Sequence, residues 1–116
     1  MVDANQEDDL TDGRVQHVVL FDFPERLTDE EETEMFSMVT AWRDDIPGLT
    51  GLRLGRDVGG RADGFDYLLL TEFEDEAAHQ AYYGHPDHVR FSEWVGERNC
   101  RVLRVDYPLD EKSLIL

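Results

Sequence analysis

Residues 65–73 (FDYLLLTEF) constrain the fold more than any other stretch of this chain. A short apolar run rich in aromatics, set between Asp63-Gly64 and Asp75, reads as a β-strand. Successive strand side chains point to opposite faces, so Phe65, Tyr67, Leu69 and Phe73 share one side, while Leu68 and Leu70 occupy the other. Residues 14–23 (RVQHVVLFDF) repeat the pattern, with Val15, His17, Val19, Phe21 and Phe23 opposite Val18 and Leu20. Strands that are apolar on both sides need cover on both sides.

The rest of the chain supplies only one of those covers. Thr28 with Glu31 forms a capping box opening a helix, whose Met35, Met38, Val39, Trp42 and Ile46 recur at helical spacing until Pro47-Gly48 stops it. The acidic run at 29–32 is a solvated first turn, favourable at a helix N-terminus. A weaker strand over 49–58 is interrupted by Gly51 and Gly55, and Gly59-Gly60 turns the chain toward the strand at 65–73. Asp75 is placed to cap a helix through Tyr83. A further helical piece spans Pro86 to Glu97, and a closing strand runs from Asn99 to Tyr107. The order β-α-β-β-α-β is the ferredoxin-like α+β arrangement, a sheet with helices on one face. Its uncovered face calls for a second sheet, which a two-fold homodimer provides.

At 116 residues the chain is one domain. Residues 1–13 are expected to be a flexible acidic arm, 14–108 the domain, and 109–116 a tail whose Leu114-Ile115-Leu116 docks on the partner subunit. Asp and Glu number 27 against 11 basic residues, a formal net charge of −16, so nucleic acid and anionic membranes are excluded as partners. Lys112 is the single lysine, and the acid is spread along the chain, a surface suited to a halophile whose salt screens self-repulsion. No run approaches the roughly 18 apolar residues of a membrane span, and the acidic N-terminus is unlike a signal peptide. A lone Cys100 fits a reducing cytoplasm.

The chemistry-bearing stretch is Tyr82-Tyr83-Gly84-His85-Pro86-Asp87-His88. Pro86 breaks the helix and re-aims the chain, which lets side chains from either side of the break converge. These residues resemble the stress-responsive α/β-barrel (Dabb) family of dimeric α+β barrels, from about Val15 to Pro108. The resemblance also rests on His17, Ile46-Pro47-Gly48-Leu49, Phe73-Glu74 and Val105-Asp106-Tyr107-Pro108. It implies a homodimer. It also implies, through a plant polyketide cyclase of the family, an aldol closure needing neither metal nor cofactor. In that enzyme's pattern the catalytic tyrosine and histidine fall on Tyr82 and His88, and a first-strand histidine on His17. Where it has a pocket histidine and tyrosine, this chain has Tyr67 and Val39.

Two readings follow. In one, the protein binds a small hydrophobic molecule between sheet and helices without a reaction. In the other, it is a cofactor-free enzyme acting on a carbonyl-bearing compound. His88 is then the general base, imidazole being poised near neutral pH, and Tyr82 the hydrogen-bond donor to the developing oxyanion. The expected binding residues are His17, Tyr67, Val39 and His85, the last also fixing the bend through a backbone hydrogen bond. Structural roles compete: His88 as a brace after the break, His17 as a satisfied core histidine. His79, His85, Asp87 and His88 raise the question of zinc, but Pro86 disturbs any regular ligand face, so no metal site is expected. The chain has no phosphate-binding glycine loop and no nucleophile elbow, and Cys100 carries no signature of activation.

Overall fold

The computed structural model describes residues 11–110. The elements are β1 (Thr11–Asp22), α1 (Asp29–Asp45), β2 (Leu49–Arg56), β3 (Tyr67–Phe73), α2 (Glu76–Gly84), α3 (Pro86–Glu97) and β4 (Arg101–Asp110). The four strands form one antiparallel sheet in the order β2-β3-β1-β4, the ferredoxin-like topology. β1 begins three residues before the expected Arg14, so residues 11–13 belong to the sheet and not to an arm. The extension comes from pairing with β4, where Thr11 faces Asp110 after a register shift. Gly13 lies in that shift with φ of +86°, a conformation that favours glycine. Residues 109 and 110, expected in the tail, likewise continue β4. The remainder of the arm and tail lies outside the described residues.

The expected faces hold. Val15, Val19, Phe21, Phe23, Tyr67, Leu69 and Phe73 are buried beneath the helices, with His17 and Thr71 among them. α1 lays Met35, Val39 and Trp42 on this layer, and α3 adds Phe91, Trp94 and Val95. Trp42 is fully buried and meets Tyr82 and Phe91 edge-on, with ring centroids 5.5 and 5.2 Å away. The other face of the sheet has no helix. There, Val18 pairs with Leu70 and Val105, and Leu20 with Leu68 and Leu103. Leu103 and Val105 are 50% and 58% exposed.

Local chemistry sets the helix ends. The Thr28 hydroxyl accepts from the Glu31 amide at 3.1 Å, and the Glu31 carboxylate accepts from the Thr28 amide at 2.9 Å, the reciprocal capping box. Asp75 caps α2 through the Ala78 amide at 2.8 Å. His85 closes α2 and opens α3: its amide donates to the Tyr82 carbonyl at 3.1 Å, and its Nδ1 accepts from the Asp87 amide at 3.1 Å. Pro86 then occupies the first helical position, where no amide hydrogen is needed.

Gly48, between α1 and β2, has φ of +79°, and a Cβ there would stand 2.5 Å from the Ala78 Cβ. Gly48→Ala therefore combines left-handed strain with a collision against α2. The expected loss is about 2–4 kcal/mol, from about 1–2 for the conformation and a similar amount for overpacking. Urea melts of the two proteins measure it; a loss under 0.5 kcal/mol would show that α2 moves aside freely.

Candidate active site

His17 lies at the centre of β1, 1% exposed, between Thr71 of β3 and Asp106 of β4. Its Nδ1 is hydrogen-bonded to the Asp106 carboxylate. A carboxylate can only accept, so Nδ1 carries the proton and Nε2 keeps its lone pair. Burial lowers the His17 pKa below the usual imidazole value, opposed by the neighbouring Asp106.

His88 sits in the first turn of α3. Its Nδ1 faces the Tyr83 carbonyl at 3.3 Å, which likewise assigns the proton to Nδ1. Nε2 has no hydrogen-bond partner among the described residues. Burial lowers the His88 pKa, which keeps the ring in its basic, uncharged form. Tyr82, in the last turn of α2, packs against this ring at a centroid distance of 4.2 Å. Tyr82 is buried, yet its hydroxyl has no partner among the described residues. Burial raises its phenol far above the usual range, so it stays a proton donor.

These groups line one cavity of about 40 Å³, together with Phe91, Val95 and Arg104. The lining runs from buried His17 and Tyr82 to exposed Ser92 and Arg104, so the cavity reaches solvent between α3 and β4. Its volume holds about one to three waters or the reacting end of a molecule, well under the roughly 300 Å³ of a site enclosing a drug-sized ligand. Arg104 makes no ion pair among the described residues.

Three of the expected residues, His17, Tyr82 and His88, thus come together. Tyr67, Val39 and His85 do not line this cavity. Tyr67 pairs with Phe21, four residues along β1 from His17 and so about 13 Å away at strand rise. Its hydroxyl donates to Glu32 at 2.6 Å. Val39 is spent on the core, and His85 on the two helix ends.

The sequence reading raised His79 only as a candidate zinc ligand upstream of Pro86 and missed its place behind His17 with Glu76 and Tyr83. His79 of α2, 2% exposed, accepts at Nε2 from the Tyr83 hydroxyl at 2.8 Å and donates from Nδ1 to Glu76 at 3.0 Å. The Tyr83 hydroxyl also approaches His17 Nδ1 at 3.5 Å, and burial pushes it up to about 12. The three- and four-residue spacing of Glu76, His79 and Tyr83 was the available signal, since it puts them on one helix face.

The stress responsive A/B barrel domain model matches residues 15–109. Olivetolic acid cyclase from Cannabis sativa is 26% identical over 95 residues, covering 80% of this chain and 94% of the cyclase. A dimeric ferredoxin-like protein of unknown function from Jannaschia sp. superposes with a TM-score of 0.70 at 27% identity, covering 82% of this chain and 98% of that one. A hydroxynitrile lyase from Passiflora edulis reaches a TM-score of 0.76 at 19% identity, over 86% and 96% of the two chains, a likeness of fold. With the family model spanning nearly all of the described sheet and helices, the chain belongs to the stress responsive A/B barrel domain family.

Proposed function

We propose that this protein is a homodimer that binds a small carbonyl-bearing molecule at the His88–Tyr82 cavity and exchanges a proton at the carbon beside the carbonyl, without a cofactor. The observation that carries this reading is the pairing, at one cavity, of an imidazole Nε2 and a tyrosine hydroxyl that both have no hydrogen-bond partner among the described residues. His88 Nε2 takes the proton, Tyr82 donates a hydrogen bond to the enolate oxygen, and the imidazolium returns the proton to carbon or to an aldol alkoxide. Arg104, at the mouth and without an ion-pair partner among the described residues, fits a carboxylate on the substrate, whose body stays outside so small a cavity. The dimer is supported by the bare apolar sheet face and by the Jannaschia relative's dimeric state. The acidic surface favours a salt-rich cytoplasm as its setting.

The test is deuterium exchange into a small β-keto acid in D2O, followed by NMR. His88→Ala is expected to lower the catalysed rate about 10²–10⁴-fold, the usual worth of a positioned general base. Tyr82→Phe should lower kcat, and Arg104→Ala should raise KM with little change in kcat. Because burial lowers the His88 pKa, the acid limb of kcat/KM should fall below the ordinary imidazole value. Saturable binding with no exchange above background would replace the enzyme reading by the ligand-binding one.

A further inference from the structure

We propose that His17, His79 and Asp106 form a binding site for one divalent transition-metal ion of the zinc type in each protomer. Of the candidate ligands raised by the sequence only His79 belongs to it; His85, Asp87 and His88 surround Pro86 and do not. This trio comes instead from β1, α2 and β4, with one ligand atom from each within 4.8 Å of the others.

Two imidazoles and a carboxylate are a donor set for zinc and neighbouring first-row metals, with a remaining position open. Zinc bonds of about 2.0–2.1 Å put tetrahedral ligands about 3.4 Å apart. His79 Nε2 and Asp106 Oδ1 are 3.9 Å apart, and the hydrogen-bonded His17–Asp106 pair must spread while the ion takes the place of the Nδ1 proton, which moves to His17 Nε2. The two rings, within 4.8 Å of each other, close by up to about 1.4 Å between them, so side-chain shifts of about 1 Å or less per residue bring the three atoms to coordination distance.

The surroundings fit the same ion. His79 presents Nε2 to the site while Nδ1 donates to the Glu76 carboxylate at 3.0 Å. An outer carboxylate of this kind orients metal-binding histidines and raises their basicity. The Tyr83 hydroxyl lies 2.8 Å from His79 Nε2 and 3.5 Å from His17 Nδ1, within reach of an ion held by both rings. Glu76 and Asp106 give the cluster two negative charges against a dication, with both imidazoles neutral. Asp106 is 40% exposed in its side chain, and a surface hollow lined by Val15, Glu76, His79, Asp106 and Tyr107 leads to it. An ion has a path in, and water has access to the open position. His17 borders both sites, but neither His88 nor Tyr82, the groups of the proposed reaction, belongs to this set.

The experiment titrates the full chain, stripped by a chelator, with Zn²⁺ by calorimetry and with Co²⁺ by visible absorption. It is run in 2 M KCl, where a screening length of about 3 Å or less suppresses diffuse binding to the acidic surface. The expected result is one ion per protomer, with the intense visible bands of near-tetrahedral Co²⁺. Asp106→Asn and His79→Gln should each weaken binding about 100-fold, and Glu76→Gln about 10-fold, the lower end of an outer-partner effect. His88→Gln should leave affinity unchanged. Circular dichroism checks each variant, and Glu76→Gln with Asp106→Asn carry the test if His79→Gln fails to fold. Only weak, unsaturable binding, or wild-type affinity in Asp106→Asn and Glu76→Gln, would overturn the proposal. So would loss of binding in His88→Gln.

Discussion

Val105→Asp is expected to turn the protein from a dimer into a monomer at micromolar concentration. Val105, on the edge strand β4, is 58% exposed in the single chain and pairs with Val18 on the helix-free sheet face. Packing two such faces about a two-fold axis places each substitution in the interface twice. Each copy forfeits the burial of a valine, about 1.5 kcal/mol at least, and puts a carboxylate against Leu20, Leu70 and Leu103, with Arg53 three strands away and Arg101 already paired with Asp22. The sum exceeds about 4 kcal/mol, or about a thousandfold in the dimer dissociation constant. Sedimentation velocity of wild type and variant reads the change directly. Val58→Asp, at a residue 93% exposed in the β2–β3 connection, serves as the neutral control. The cavity lies beneath the helices on the opposite side of the sheet, so far-ultraviolet circular dichroism should be preserved. A Val105→Asp dimer as tight as wild type would show that the two sheets do not meet through this face.

The second large effect is on stability in salt. With a formal charge of −16 on 116 residues, the folded chain repels itself in dilute buffer. Raising KCl from 0.1 to 2 M shortens the screening length from about 10 Å to under about 3 Å. Relief of about 2 kcal/mol is expected, a rise in Tm of roughly 10 °C for a domain of this size. Chloride is the right anion for the measurement, because sulfate strengthens apolar burial in almost any protein. The triple variant Asp44→Asn, Glu93→Gln and Glu25→Gln removes three exposed carboxylates, none of them in an ion pair with a described residue. Its Tm should start higher and climb less steeply. A wild-type Tm indifferent to KCl would mean that the acidic surface is not held in check by screening.

What the sequence disclosed was what local chemistry decides. Thr28 with Glu31, Asp75 before its helix, and Pro86 behind His85 mark helix ends within a few residues of chain, and all stand where expected. Two-sided apolar strands foretold both the helix layer and the bare face. The start of β1 was not legible, because residues 11–13 join the sheet only through a distant β4 partner. The cavity was half legible. Tyr82 and His88 flank one break in the chain, whereas Tyr67 and Val39 were placed by resemblance, and the register sets Tyr67 at the far end of β3. Least visible was the cluster behind His17. Its members meet because β4 pairs antiparallel with β1 and α2 crosses above, relations that no spacing along the chain encodes.

The two-sided strands bear on folding fidelity as well. In most half-buried sheets a one-residue slip is forbidden because it turns the greasy side outward. Here a slipped β1 would exchange Val19 and Phe21 for Val18 and Leu20 and lose little apolar burial. What the slip cannot reproduce is polar. It would carry His17 away from Asp106 to the outer face, and drive Asp22 beneath the helices, away from the Arg101 guanidinium it meets at 3.1 Å. Those two pairings work as a proofreading key, so the buried histidine that serves the cavity also tells the central strand which way up to lie.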